Sequence, residues 1–123
     1  MPDGLIRIDG LAFQHSRFTG ELKLPDRLTT IGSNAFYNSR FTGEIKLPNA
    51  LTTINASAFY NSIFSGELIL PESLNIIDRN AFYNSTFNGT LNVSNITRIQ
   101  DSTFRNSKID KVIRGNGRWL YRH

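Results

Sequence analysis

The chain holds two histidines, His15 and His123, and ten acidic side chains, too little and too regularly spaced to assemble acid–base chemistry. Glu21, Glu44 and Glu67 recur every 23 residues. Repetition accounts for them, whereas an acid/base pair needs two carboxyl groups held in different environments. Ser39, Ser62, Ser85 and Ser107 recur in the same way, and no Ser-His-Asp order stands out among them. Cysteine is absent, which removes disulfides, Cys-based zinc sites and thiol nucleophiles. There is no glycine-rich phosphate loop, and the aspartates do not follow a nine-residue calcium-binding pattern. Five N-x-Ser/Thr sequons begin at Asn55, Asn84, Asn88, Asn92 and Asn95. The repeat explains them, and they matter only in a eukaryotic secretory pathway. The expectation is a protein without catalytic residues, metal ligands or cofactor.

The elements that carry these residues derive from an internal repeat. Phe18 to Arg40 reads FTGELKLPDRLTTIGSNAFYNSR, Phe41 to Ile63 reads FTGEIKLPNALTTINASAFYNSI, and Phe64 to Thr86 reads FSGELILPESLNIIDRNAFYNST. Phe87 to Lys108 is a degenerate fourth copy, one residue shorter. Residues 5–17 supply half a coil before them, and 109–113 begin another. Such a period signals a solenoid, here of about four and a half 23-residue coils. Within ELKLP, Leu22 and Leu24 alternate with Glu21 and Lys23, which predicts a strand with leucines inward. Gly20, Gly43, Gly66 and Gly89 precede it, where a left-handed bend favours glycine. Pro25, Pro48 and Pro71 close it. LTTI predicts a bend or a second, less regular strand. SNAFYNS predicts a short helical turn, with Ser33 or Asn34 capping its start and Asn38 left-handed at its end.

Stacked coils put like residues over like. Six inward columns result: Phe18/Phe41/Phe64/Phe87, Leu22/Ile45/Leu68/Leu91, Leu24/Leu47/Leu70/Val93, Leu28/Leu51/Leu74/Ile96, Ile31/Ile54/Ile77/Ile99 and Phe36/Phe59/Phe82/Phe104. Each fully buried side chain contributes roughly 1.5–3 kcal/mol, against an ordering cost of about 1–2 kcal/mol per residue for the backbone. One coil cannot bury these groups; several can.

The unit L-x-x-I-x-x-x-A-F-x-x-(small)-x-F-x-G-x-L-x-L-P, with AFYNS and LxLP at constant spacing, resembles the BspA-type leucine-rich repeat over residues 5–113. The resemblance implies a right-handed solenoid, mainly β with short helical turns, carrying a parallel strand ladder on one face. It also implies a cell-surface adhesion protein, as is common for this family in host-associated bacteria and some protists. The family often has Cys where this chain has Ser39, Ser62, Ser85 and Ser107. Buried hydroxyls there need hydrogen-bond partners.

Two exposed columns are candidates for contact. Glu21, Glu44 and Glu67, beside Lys23, Lys46 and Ile69, form the candidate binding face. The individual charges read as a solvated surface, while the face as a whole is where curved repeat folds bind. Tyr37, Tyr60 and Tyr83 form a candidate aromatic ladder for a protein or glycan, although aligned rings more often pack on one another. Asn38, Asn61, Asn84 and Asn106 read as structural, capping a turn and bonding backbone groups between coils. Charge is uneven: residues 1–104 carry 8 basic and 9 acidic side chains, residues 105–123 carry 6 and 1. The segment 114–123, with Trp119, Leu120 and Tyr121, reads as a basic aromatic cap or tail rather than a nucleic-acid site. Poorly capped ends or strand edges predict some homodimerisation. No apolar run approaches the roughly 18 residues of a membrane span. The start lacks a secretory signal, which predicts a cytoplasmic location for a complete chain and a surface or secreted one for a fragment of a larger protein.

Overall fold

The computed structural model describes residues 4–16, 19–99 and 101–113. Strands in chain order are β1 (Arg7–Ile8), β2 (Thr19–Gly20), β3 (Thr30–Ile31), β4 (Arg40–Phe41), β5 (Thr53–Ile54), β6 (Ser65–Glu67), β7 (Ile76–Ile77), β8 (Thr86–Asn92), β9 (Arg98–Ile99) and β10 (Lys108–Ile113). All pairing is parallel and joins successive coils. The result is a parallel β-solenoid of about four turns with almost no helix.

The longest ladder lies at LTTI, where the sequence left open a bend or a second, less regular strand; the strand is what forms. β1, β3, β5, β7 and β9 form a five-stranded sheet through the TTI segments. Thr30 faces Thr53 and Ile31 faces Ile54, a 23-residue register. The ELKL segments, expected to be the main strands, are joined by one bridge, Lys23 to Lys46. The reason lies in the residue that opens the following turn. Pro25, Pro48 and Pro71 accept the turn bonds from Leu28, Leu51 and Leu74, but have no N–H to give a neighbouring coil. Val93 opens the fourth turn, and its N–H donates to Ile113 O at 2.8 Å. There the strand runs on, through β8, against β10. The second ladder, through FTG, also has its own register: Gly20 faces Phe41, and Gly66 faces Phe87.

The AFYNS corner is not a helical turn. Asn34 and Asn38 both have φ 59, as do their successors Ser57 (58), Asn61 (60), Asn80 (59) and Asn84 (68). N–H groups alternate in direction. Ala35, Tyr37 and Ser39 donate back three residues within the coil, while Asn34, Phe36 and Asn38 donate to Ala56, Ala58 and Tyr60 of the next coil. Asn34 therefore repeats the left-handed role expected of Asn38 instead of capping a helix. Asparagine tolerates that conformation better than most side chains. Among the described residues, the 3-10 turn is in the fourth copy, Asp101–Phe104.

The columns form the core. Leu28, Leu51, Leu74, Ile31, Ile54, Ile77, Phe36, Phe59, Phe82 and Phe104 are fully buried. Rings of Phe13, Phe36, Phe59, Phe82 and Phe104 stack at centroid spacings of 5.2, 5.3, 5.2 and 5.8 Å. Phe41, Phe64 and Phe87 make a second stack at 6.4 and 6.3 Å, edge-on to the first. Phe18, expected at the head of that second stack, and the segment 114–123, expected as a cap or tail, lie outside the described residues. One column departs along most of its length: Leu24, Leu47 and Leu70 are half-buried, and only Val93 of that set is buried; in two others the last member, Ile96 or Ile99, is half-buried as well. Without a continuous ladder at ELKL, that edge of the coil stays partly open.

Candidate functional site

The face around Glu21, Lys23, Glu44, Lys46, Glu67 and Ile69 is built from the ELK, EIK and ELI segments. Leu22, Ile45 and Leu68 anchor it inward and are buried. The alternation of a strand then turns the flanking residues outward, and all six candidates are exposed. Glu44 leans along the solenoid axis. A Cβ on Gly66 would lie 2.8 Å from Glu44 Cγ and 2.9 Å from its Oε1, so Glu44 lies across the glycine of the next coil. Gly66 also has φ +79, a conformation strained for other residues.

Among the described residues, the ion pair present is Arg98 to Asp78, at 3.4 Å. No bridge links the glutamate column to Lys23 or Lys46. Where Lys would stand in the third copy is Ile69, whose surface is 72% exposed. It borders a shallow depression of about 270 Å³ together with Leu47, Asn49, Glu67 and Pro71. The face thus carries an apolar side chain in water, framed by charges of both signs.

The tyrosine ladder is closed on itself. Tyr37 and Tyr60 stack at 4.7 Å and 7°, Tyr60 and Tyr83 at 4.6 Å and 3°. Ring faces between neighbours are taken, so a sugar ring has no inner face to stack on. Burial, and then the neighbouring Tyr37 and Tyr83, push the Tyr60 hydroxyl above the ordinary tyrosine range. His15 meets Tyr37 edge-on at 5.7 Å.

Beside it runs an amide ladder. Asn61 Nδ2 donates to Asn38 Oδ1 at 2.8 Å, Asn84 to Asn61 at 2.6 Å and Asn106 to Asn84 at 2.7 Å. Asn38 Nδ2 lies 3.4 Å from His15 Nδ1, which accepts when it carries no proton. The sequence pointed to these asparagines as turn residues bonding backbone groups between coils; their bonds run instead from side chain to side chain. His15, Asn38, Arg40, Asn61 and Ile63 line an open groove of about 670 Å³. The serine hydroxyls are buried and bonded. Ser39 donates to Phe13 O at 2.9 Å, Ser62 to Phe36 O at 3.2 Å, and Ser85 to Ser62 O. Among the described residues, no cluster of three His, Asp or Glu side chains stands ready for a metal ion. No described helix is long and apolar enough to cross a membrane.

Stacked coils with the chemistry of each repeat spread along a surface define a leucine-rich-repeat module, a class commonly associated with protein binding and typically non-catalytic. Residues 1–115 match the family model described as BspA type Leucine rich repeat region (6 copies), and the chain belongs to that family. No curated protein and no solved structure matches it.

Proposed function

We propose that this chain is a non-enzymatic adhesion module of a bacterial cell surface, and that it meets a protein partner on the face of Glu21, Lys23, Glu44, Lys46, Glu67 and Ile69. The observation that carries this reading is Ile69. A side chain of that size, 72% exposed beside the depression at Leu47 and Pro71, loses favourable burial unless something covers it. An apolar centre within a charged rim is the usual anatomy of a protein contact. The tyrosine ladder, with its faces stacked, is better suited to holding coils together than to gripping a glycan.

A bead-adhesion assay tests this. Beads coated with the chain should bind host epithelial cells, lose binding when the cells are treated with trypsin, and keep it after periodate oxidation of their glycans. Ile69→Asp should abolish adhesion, whereas Ile63→Asp, beside the asparagine ladder, should leave it intact. Adhesion indifferent to Ile69→Asp, or removed by periodate alone, sinks the proposal.

The second reading is a spacer or self-assembling unit. Ile6 and Leu11 are 57% and 56% exposed beside the edge strand β1, a surface another copy could pair with. Light scattering over a concentration range decides it: a constant monomer mass rules self-assembly out.

A further inference from the structure

Four asparagine amides and one imidazole make a single line of hydrogen bonds across the coils, and every amide in it points the same way. Asn61, Asn84 and Asn106 each donate from Nδ2 to the Oδ1 of the coil before, at 2.8, 2.6 and 2.7 Å. Asn38 turns its own Nδ2 to His15 Nδ1 at 3.4 Å. The backbones share one conformation, with φ 59 at His15 and Asn38, 60 at Asn61, 68 at Asn84 and 64 at Asn106, so the side chains leave their coils alike.

An amide nitrogen only donates and an amide oxygen only accepts. Between stacked amides nitrogen must therefore meet oxygen. One reversed member would set nitrogen against nitrogen on one side and oxygen against oxygen on the other. The line has two fully bonded states, with all amides facing His15 or all facing Asn106. A half-turn about the last side-chain bond converts one into the other and leaves the backbone where it is. What separates the two states is the group at the end. With Asn38 Nδ2 facing it, His15 Nδ1 must accept, and so must carry no proton. A doubly protonated imidazole only donates, and can bond Asn38 only at Oδ1. Imidazole is the side chain that ordinarily changes charge between pH 5 and 8. Among the described residues, the titratable and charged neighbours of His15 are Tyr37, edge-on at 5.7 Å, and Arg40 in the same groove. Neither supplies a carboxylate to hold a protonated ring in place of Asn38.

We propose that the asparagine ladder is a two-state switch, and that protonation of His15 reverses all four amides together. In the protonated state His15 Nδ1 donates to Asn38 Oδ1, and Asn38, Asn61 and Asn84 each donate forward to the next coil. A charge change in the first coil thereby resets the hydrogen-bonding edge of Asn106, four coil steps or about 19 Å away. In the groove lined by His15, Asn38, Arg40, Asn61 and Ile63, donors and acceptors along the amide wall exchange places. That wall offers a ligand different chemistry on the two sides of the transition. This inference is independent of the face proposed for partner binding.

Side-chain amide NMR of the intact chain, titrated between about pH 5 and 8, tests it. The Nδ2 signals of Asn38, Asn61, Asn84 and Asn106 should all shift with one midpoint, that of the His15 ring. Asn106 lies beyond the roughly 8 Å over which a charge is felt at physiological salt, so the charge alone does not move it. Nuclear Overhauser contacts of the Asn61 Nδ2 protons should pass from Asn38 above the midpoint to Asn84 below it. His15→Asn, which places there the residue of the other copies, should leave all four signals flat with pH. Asn61→Gly, which keeps the backbone, should silence Asn84 and Asn106 while Asn38 still responds. A His15 ring that titrates while Asn84 and Asn106 stay flat overturns the proposal, because the imidazole has then turned to water and left the ladder as it was. An Asn106 response that persists in His15→Asn overturns it equally.

Discussion

Replacing Phe59 by alanine measures what one level of the stack contributes. Phe59 is 0% exposed, lies between Phe36 at 5.3 Å and Phe82 at 5.2 Å, and meets Phe64 edge-on at 5.5 Å. Truncating a buried phenylalanine costs about 3–5 kcal/mol when the cavity cannot collapse. Collapse is opposed here, because the coils above and below are held by the N–H of Phe59 to Ala81 O and the N–H of Phe36 to Ala58 O, both 2.8 Å. Phe13→Ala is the internal control. That ring is half-buried at the start of the stack, and its loss should cost about 1–2 kcal/mol. Native domains are stable by only about 5–15 kcal/mol, so Phe59→Ala removes a large share and should lower Tm by roughly 10–20 °C. Equilibrium urea unfolding followed by circular dichroism, with a thermal melt of each variant, gives both values. Equal losses at Phe13 and Phe59, or a loss below about 1 kcal/mol at Phe59, would refute the reasoning.

The inter-coil contacts set further outcomes. Gly32→Ala should undock the N-terminal half coil, because the added Cβ would lie 2.3 Å from Gly10 N and 2.6 Å from Asp9 C. Hydrogen exchange should then show Leu11, Phe13 and His15 amides losing protection while Phe59 and Asn61 keep theirs. Asn61→Ala breaks two amide bonds, at 2.8 and 2.6 Å, and puts alanine at φ 60, for a loss of about 2–3 kcal/mol; Asn61→Gly, which suits the backbone, should lose about half of that. The raised Tyr60 hydroxyl stabilises the fold fully below the unfolded tyrosine value near pH 10 and less as pH climbs beyond it. Unfolding midpoints should therefore fall in strong alkali, and Tyr60→Phe should soften that fall.

The columns were legible because a repeat forces like residues into like places: Phe36, Phe59 and Phe82, or Leu28, Leu51 and Leu74, could be read as stacked without knowing any backbone angle. The distribution of strands was not legible. Alternation in ELKL looks like a strand, but alternation reports which side chains face inward, not whether backbone groups find partners. Those partners depend on the missing N–H of Pro25, Pro48 and Pro71 and on Val93 in their place. AFYNS looked helical because its hydrophobic pair and terminal asparagine fit one turn. The alternating inter-coil bonds of Asn34, Phe36 and Asn38 belong to residues 22 positions away and leave no local trace. For the surface, exposure of Glu44, Lys46 and Ile69 came from alternation, and the packing of Tyr37, Tyr60 and Tyr83 on one another, the reading favoured from their alignment, is what the 4.7 and 4.6 Å ring spacings show.

Whether like truly lies over like can be asked of two cysteine pairs in a chain that has no cysteine of its own. Lys23 and Lys46 are bridge partners in adjacent coils, and Ile69 stands one coil further on. A disulfide needs Cα atoms within about 7 Å, close to one coil step and short of two. The double variant Lys23→Cys/Lys46→Cys should oxidise to a single intramolecular bond, while Lys23→Cys/Ile69→Cys should stay reduced under the same conditions. Equal oxidation of both pairs, or closure of the distant pair alone, would contradict the stack.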